Sequence, residues 1–263
     1  MKISSETGEN SFFYAYYILS FIFIFLPVVV LVAFSFSSAK FPRFPFEMLT
    51  LDWYRAVFAN EAMVKALLRS LLLGVATGLS TCILGFLAAY NLARYKVRFK
   101  AFIQTFLILP MTISYVIIGL GLLIFFSAIN IPKSLFAVWL AYTVVFLPIP
   151  VGIIYSQLGR HQVNLERAAL DLGANTFKTM IYITVPLVFP AIMASFLLTF
   201  TLAWDEFIIA FFLCGFEATL PVEIWVRLRS GISPMINAVG TVVIVISMAT
   251  AFLGVLFLRR RKR

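Results

Sequence analysis

Long runs of apolar residues dominate the chain, and polar residues are concentrated in the segments between these runs. A membrane-spanning helix needs about 20 apolar residues, because it must cross roughly 30 Å of hydrocarbon. Six runs are long enough, and they cover about residues 12–36, 70–93, 102–129, 135–155, 187–212 and 238–258. Apolar and polar residues do not alternate along them, which disfavours β-strands. The pattern therefore predicts an all-α membrane protein with six transmembrane helices.

The composition excludes two classes of protein. Hydrophobic residues make up 62% of the 263 residues and charged residues only 12%, whereas a soluble domain is about half apolar and a quarter charged. A soluble enzyme and a disordered tail are therefore excluded. Cys82 and Cys214 lie far apart and form neither a CxxC pair nor a disulfide framework. His161 is the only histidine, so we predict no metal site.

The net charge of +10 indicates membrane orientation, because Lys and Arg collect on the cytoplasmic side of membrane proteins. A cluster without acids follows the second run and contains Arg94, Lys96, Arg98 and Lys100, and the chain ends in five basic residues, 259–263. We predict that both termini are cytoplasmic. The basic tail is then a membrane-surface anchor, and no nucleic acid is expected as a partner. The first run is too long for a signal peptide, so it should remain as an anchor.

A helical pattern marks the predicted cytoplasmic segment between the fourth and fifth runs, about residues 157–186. The residues that share one helix face there are Leu165, Ala168, Ala169 and Leu172. Asn164 is positioned as an N-cap, and Glu166 falls in the first turn, where an acid favours the helix dipole. These features predict a short helix that starts after Asn164.

A glycine is predicted to divide the segment into two short helices. Gly173 lies where a left-handed residue ends a helix. Asn175 or Thr176 can cap a second helix, and Pro186 should close the segment. A helix on the lipid surface is the alternative, but it favours large apolar residues and Lys-rich flanks. The two alanines and the mixture of Glu166, Arg167 and Asp171 favour a protein partner instead.

Residues 166–174, continuing to 183–186, resemble the EAA loop of binding-protein-dependent ABC importer permeases. The family pattern is Glu-Ala-Ala, three residues, Gly, nine residues, Ile, one residue and Leu-Pro. The residues in register with it are Ala168, Ala169, Gly173, Ile183 and Pro186. Two positions depart from the pattern. Arg167 occupies the Glu position, with Glu166 one residue earlier, and Val185 replaces Leu.

The resemblance covers nearly the whole chain and implies a single transmembrane domain, residues 1–263, in the bacterial cytoplasmic (inner) membrane. In this family the loop is a coupling helix that docks on an ATPase subunit. The residues implied in coupling here are Glu166, Arg167, Ala168, Ala169, Asp171 and Gly173. The family's permeases do no chemistry, and the sequence has no Gly-x-x-x-x-Gly-Lys-Ser/Thr motif. We therefore expect no enzymatic activity and no cofactor bound by this chain.

The resemblance also implies the other components of the transporter. They are a dimer of ABC ATPase subunits, a second permease subunit in a heterodimer, and an extracytoplasmic solute-binding protein. ATP and Mg²⁺ would be bound by the ATPase. Membrane lipid is the remaining partner that the six apolar runs require.

Two adjacent acids lie inside the fifth predicted span. Asp205 and Glu206 follow Trp204, and an acid within the membrane costs about 3 kcal/mol or more unless it faces a cavity or a partner. One interpretation is a solute-facing site in which Trp204 supplies an aromatic face, which suits a cationic amine. The alternative is that one acid pairs with an Arg of a neighbouring helix or of a partner subunit.

Further segments resemble spermidine/putrescine-type permease subunits. Residues 199–206 are similar to their acidic segment, residues 229–238 to the segment before their last span, and Trp53 lies in a similar outer loop. Ser114-Tyr115 stands where some of those subunits carry Pro-Asp. The resemblance implies a polyamine or related organic cation as solute, with Trp53, Trp204, Asp205 and Glu206 along its pathway.

Three other functions are compatible with parts of the sequence. The same importer family includes members with non-cationic solutes. A secondary transporter could use Asp205 and Glu206 as a proton relay, but the sequence has no internal inverted repeat. A channel or assembly factor would work without ATP. Neither of the last two accounts for the EAA-like loop.

Overall fold

A computed structural model describes residues 3–39, 48–158, 160–231 and 234–260. Helices account for most of these residues. The first seven are α1 (Ile3–Ser35), α2 (Asp52–Ala59), α3 (Glu61–Arg94), α4 (Lys100–Thr112), α5 (Tyr115–Ala128), α6 (Leu135–Phe146) and α7 (Pro148–Gln157). They are followed by α8 (Arg160–Asp171), α9 (Thr176–Thr179), a π segment (Met180–Thr184), α10 (Val185–Asp205), α11 (Ile208–Leu213), α12 (Leu220–Ser230) and α13 (Pro234–Arg260). The all-α prediction is confirmed.

Within the described ranges, five helical segments are long and apolar enough to cross a membrane, and a bent pair raises the number to six. The five are Tyr16–Ser35, Glu61–Arg94, Leu135–Gln157, Thr176–Asp205 and Pro234–Phe252. The bent pair is α4 and α5, which meet at 101° in the predicted third span. Ile113 and Ser114 both have extended backbone there, with ψ of 141° and 133°. The third span is therefore broken, whereas the sequence predicted one helix.

The fifth span is displaced from its predicted position. It runs from Thr176 to Asp205, whereas about 187–212 was predicted. Glu206 is extended, with φ −72° and ψ 121°, and the short helix α11 begins after it. Hydropathy alone missed this boundary, because apolar residues continue without interruption beyond the break.

Two compact units are present in the chain. The first comprises Met1–Glu61 and Ile224–Ile246. In its described part, an isolated antiparallel bridge pairs Ser37 with Leu49, and Arg227 Nη2 donates to Asn60 Oδ1 at 2.9 Å. The single domain over residues 1–263 stays a prediction.

The second unit comprises Ala62–Glu223 and Ser247–Arg263. In it, α10 packs against α7, and α11 packs against α5 and α6. Glycines let α3 approach the fifth span closely, since a Cβ at Gly74 or Gly78 would lie only 3.0 or 2.9 Å from the ring of Phe200 or Phe196. This unit contains both ends of the fifth span, where the candidate functional residues lie.

Candidate functional site

The helix between the fourth and fifth spans begins earlier than predicted. α8 covers Arg160–Asp171, so Asn164 lies inside it and is not its N-cap. The residues before Asn164, Arg-His-Gln-Val, contain no Gly or Pro that would interrupt a helix. Cap preference alone therefore placed the boundary too late.

The end of α8 is formed as the sequence predicted. Gly173 has φ +88°, its N–H bonds to Leu170 O at 2.9 Å, and the Ala174 N–H bonds to Ala169 O at 3.0 Å. These two bonds form a Schellman motif, in which the left-handed residue is usually glycine. Asn175 then caps α9, because its Oδ1 accepts from the Lys178 N–H at 2.7 Å. Both predictions, the Gly173 end and the Asn175 cap, are confirmed.

The second helix of the loop does not end at Pro186. α9, the π segment and α10 form one continuous span of 30 residues, Thr176–Asp205. The Val185 N–H bonds to Met180 O, five residues earlier, and Pro186 lies in the first turn of α10. The π segment thus carries the helix past the proline, and the prediction that Pro186 closes the segment is wrong.

Glu166 points into the protein, and only 5% of it is exposed. Its carboxylate pairs with Arg94, at 2.6 Å from Nε to Oε2 and 2.9 Å from Nη2 to Oε1. The Thr184 hydroxyl donates to Oε1 at 2.7 Å. We call these three residues the Arg94–Glu166–Thr184 network. Arg167, at the family's Glu position, is exposed instead.

α8, α9 and the π segment that follows them also carry exposed apolar residues. Leu165, Leu172, Phe177 and Tyr182 are 51%, 89%, 67% and 75% exposed. Ala168 and Asp171 are exposed as well, and Ala169 is half-buried. We call these seven residues, together with Arg167, the α8–α9 surface. Clustered exposed apolar side chains are typical of an interaction site.

At the other end of the span, the two adjacent acids have different surroundings. Asp205 is exposed as the last residue of α10, while Glu206 is 7% exposed. The Glu206 carboxylate accepts the backbone N–H groups of Ile208, Ile209 and Ala210 at 2.8, 3.0 and 3.3 Å. It therefore caps α11. Within the described part of the chain, neither acid forms a salt bridge, so the alternative of an Arg on a neighbouring helix is not seen; pairing with an Arg of a partner subunit stays a prediction.

The two tryptophans predicted along the solute pathway are both involved in internal contacts. Trp204 is 2% exposed and stacks on Phe200, with ring centroids 6.4 Å apart. It therefore presents no aromatic face beside Asp205, contrary to the expectation. Trp53 lies in the first unit, where its Nε1 donates to Ser37 O at 2.8 Å. Of the four predicted pathway residues, Asp205 is the charged one that is exposed.

Sequence reasoning missed three residues that bind Glu166 or Glu206, near the two ends of the span. Arg94 and Thr184 bind Glu166, and the Tyr142 hydroxyl donates to the Glu206 carbonyl at 2.8 Å. Each of them is 18 or more positions from its partner, so no helical or strand period connects them. The one available signal was a basic residue, Arg94, at the end of an apolar run. It was interpreted only as an indicator of orientation.

Comparison with known proteins gives the class of the chain. Residues 81–263 match the family described as "Binding-protein-dependent transport system inner membrane component". The chain also shares its fold with a crystal structure of a bacterial ABC transporter involved in the import of the acidic polysaccharide alginate. The TM-score is 0.71 and the identity 17%, with all of both chains covered. The chain belongs to this family and is an inner-membrane permease subunit of a bacterial ABC importer.

Two relatives within the family are polyamine permeases of Escherichia coli K12. The putrescine permease protein PotI is 34% identical over 239 residues, which cover 86% of this chain and 83% of PotI. The spermidine/putrescine permease protein PotC is 29% identical over 243 residues, which cover 92% of this chain and 91% of PotC. The resemblance inferred from the EAA-like loop and the acidic segment is thereby confirmed. The secondary-transporter and channel alternatives are set aside.

Proposed function

We propose that this chain is a permease subunit of an importer for putrescine, spermidine or a related organic cation. The observation that carries the proposal is the identity with PotI and PotC over most of each chain. The exposed carboxylate of Asp205 supports it, because a cation leaving water needs compensating negative charge. An anionic solute would be repelled at the same place.

Asp205 is the residue that we assign to the solute pathway. It lies where α10 ends in an extended residue, and its neighbours Trp204 and Glu206 are buried and position it. A single exposed carboxylate attracts a cation without forming a well deep enough to trap it, and transport requires release as well as binding. Trp53 holds the segment after α1 through its bond to Ser37 O, and its place along the pathway stays a prediction from the resemblance.

The α8–α9 surface is proposed as the docking site for a separate ATPase. Its exposed leucines and aromatic rings suit burial against a protein, and Arg167 and Asp171 add charges that give specificity. ATP and Mg²⁺ would be bound and used on that partner. This requires both termini and the α8–α9 surface to be cytoplasmic, as the distribution of Lys and Arg favours.

The remaining partners follow from the family. A second permease subunit would complete the pathway, with a heterodimer as the expected pairing, and a solute-binding protein would deliver the cation from outside. The apolar stretch of α1, Tyr16–Ser35, is largely exposed. Its apolar side chains are therefore available to lipid or to the second subunit.

Uptake by the assembled complex tests the proposed function. The chain is co-expressed with a candidate ATPase and a candidate second permease from the same organism, purified through a tag on this chain, and reconstituted in vesicles. We expect the ATPase to co-purify, and labelled putrescine to accumulate only when ATP and the solute-binding protein are supplied. If the ATPase co-purifies but the complex takes up a neutral or anionic solute instead of putrescine, the importer assignment stands and the assignment of a cationic solute is refuted.

The docking site is tested by a matched pair of variants. Ala169→Asp introduces a charge into the α8–α9 surface, whereas Ala169→Ser introduces a small neutral group at the same place. We expect the first to release the ATPase and abolish uptake, and the second to retain both. Full transport by Ala169→Asp would refute the assigned docking face.

Orientation is tested with reporters of compartment. A reporter fused after Arg263 or inserted near Lys96 should be cytoplasmic, and one inserted near Lys133 should be external. A cytoplasmic signal near Lys133 would contradict the six-span topology.

A further inference from the structure

A buried charged cluster connects four helical elements at the Thr176 end of the fifth span. The side chains of Arg94 and Glu166 are 10% and 7% exposed, and the Thr184 hydroxyl completes the network at 2.7 Å from Oε1. Arg94 Nη1 also donates to Leu158 O at 3.4 Å. Glu166 belongs to α8, Arg94 ends α3, Thr184 ends the π segment before α10, and Leu158 follows α7.

Stability alone is a weak reason for such a cluster. Removing two charges from water is costly, and a buried ion pair is often no more stabilising than apolar side chains of the same size. What the pair adds is a defined geometry between the two side chains. Two parallel N–H···O bonds between a guanidinium and a carboxylate fix both distance and orientation. The network therefore fixes the position of α8 relative to α3 and the start of α10.

The position of the network on α8 matches a mechanical role. Glu166 faces inward while the next residue, Arg167, is exposed on the α8–α9 surface. A partner that displaces this surface displaces Glu166 with it. The carboxylate holds Thr184 in a π segment, and π-helical turns within α-helices are frequent at functional sites. The displacement would thus reach the π-helical turn of the fifth span.

We propose that the Arg94–Glu166–Thr184 network transmits movement of α8 to α3 and α10, so that ATP hydrolysis on the partner changes the solute pathway. The inference rests on the proposed function, because it needs α8 to be the helix that contacts the ATPase. All three are positioning residues, since they act through the helices that they join. Weakening the network should uncouple hydrolysis from transport without releasing the ATPase.

Two variants test the network and one serves as control. The double variant Arg94→Gln with Glu166→Gln removes both charges and leaves polar side chains at both positions, so no buried charge is left unpaired. Thr184→Val keeps the shape of the side chain and removes the bond to Oε1. The control is Asp52→Asn, which breaks the ion pair with Arg55. This pair is exposed, since the Arg55 side chain is 82% exposed and the Asp52 side chain 74%.

The measurement is the amount of putrescine imported per ATP hydrolysed by reconstituted complexes. We expect the double variant to lower this ratio by about tenfold, within the range typical of coupling between two sites. Thr184→Val should lower it less, and Asp52→Asn should leave it unchanged. A merely structural network would change the yield of complex but not the ratio.

Parental ratios in the assembled double variant and in Thr184→Val would overturn the inference. If the double variant does not assemble, the ratio for Thr184→Val decides alone. Measurements on the unmodified chain separate failure of the proposed function from failure of this inference. If the unmodified chain neither binds the ATPase nor takes up putrescine with ATP, both the proposed function and this inference are refuted. With both present, parental ratios in the variants refute only the inference.

Discussion

Near each end of the fifth span, one buried carboxylate and one exposed charged residue are adjacent in the sequence, but the two buried carboxylates are satisfied differently. Glu166, near the Thr176 end, is held by Arg94 and by the Thr184 hydroxyl. Glu206, next to Asp205 at the other end, is held by the backbone N–H groups of Ile208, Ile209 and Ala210. The exposed neighbours are Arg167 and Asp205.

The difference lies in the range of the contacts. The bonds of the Glu206 carboxylate are local, because their donors lie two to four residues further along the chain; only its backbone carbonyl accepts from a distant residue, Tyr142. Glu166 binds residues 72 and 18 positions away, so its bonds depend on how separate helices are placed. The Thr176 end is therefore suited to transmit movement, and the Asp205 end to hold a carboxylate in a fixed place.

The largest effect is expected from breaking the long-range pair. Arg94→Ala leaves the Glu166 carboxylate buried without its cation, which should lower the free energy of unfolding by about 3–5 kcal/mol. Arg55→Ala is the control, because its pair is exposed and should contribute about 0–1 kcal/mol. Thermal unfolding of the detergent-solubilised protein measures both. Equal effects of the two substitutions would contradict the burial of the Glu166 pair.

A smaller effect is expected from breaking the local cap. Glu206→Ala should cost about 1–2 kcal/mol, the usual value of a helix N-cap. Because the cap is local, hydrogen exchange should accelerate mainly at the amides of Ile208, Ile209 and Ala210. Asp205→Ala is the matched control and should leave these amides protected. Faster exchange spread over α8 as well would show that the two ends are not independent.

The smallest effect on stability concerns the turn after α8. Gly173→Ala should cost about 1 kcal/mol, because a β-carbon disfavours the left-handed backbone. Among the described residues, none beyond its chain neighbours would lie within 4 Å of that β-carbon, so the cost comes from the backbone alone. Gly173→Asn should cost less, since Asn also ends helices in this conformation. Gly121→Ala, also without close neighbours, should be neutral or stabilising.

Features that depend on neighbouring residues could be predicted from the sequence. The apolar runs indicated the class of fold, and local turn chemistry indicated Gly173 and Asn175. The fixed spacing of the EAA-like loop indicated the family. Each of these signals lies within one segment of the chain, so hydropathy, turn preference or spacing can detect it.

Contacts across the fold could not be predicted in this way. The adjacent acids Asp205 and Glu206 are chemically similar in the sequence, and only the extended backbone at Glu206 separates them. Glu166 was predicted to serve coupling in the family loop, but its burial depends on Arg94, 72 residues away. The break in the third span had only a weak signal, Pro110 within α4, because the apolar run remains long enough for one helix across Ile113 and Ser114.

The most direct test is ATP-dependent putrescine uptake per assembled complex, measured for the unmodified chain and for Asp205→Asn. The substitution keeps the shape of the side chain and removes its charge. We predict uptake that requires ATP, and a several-fold decrease in the variant at unchanged abundance and ATPase binding, because Asp205 is exposed and its carboxylate does not hold the fold together. Uptake per complex equal to that of the unmodified chain would contradict the role of Asp205, and the absence of ATP-dependent uptake in both would contradict the account as a whole.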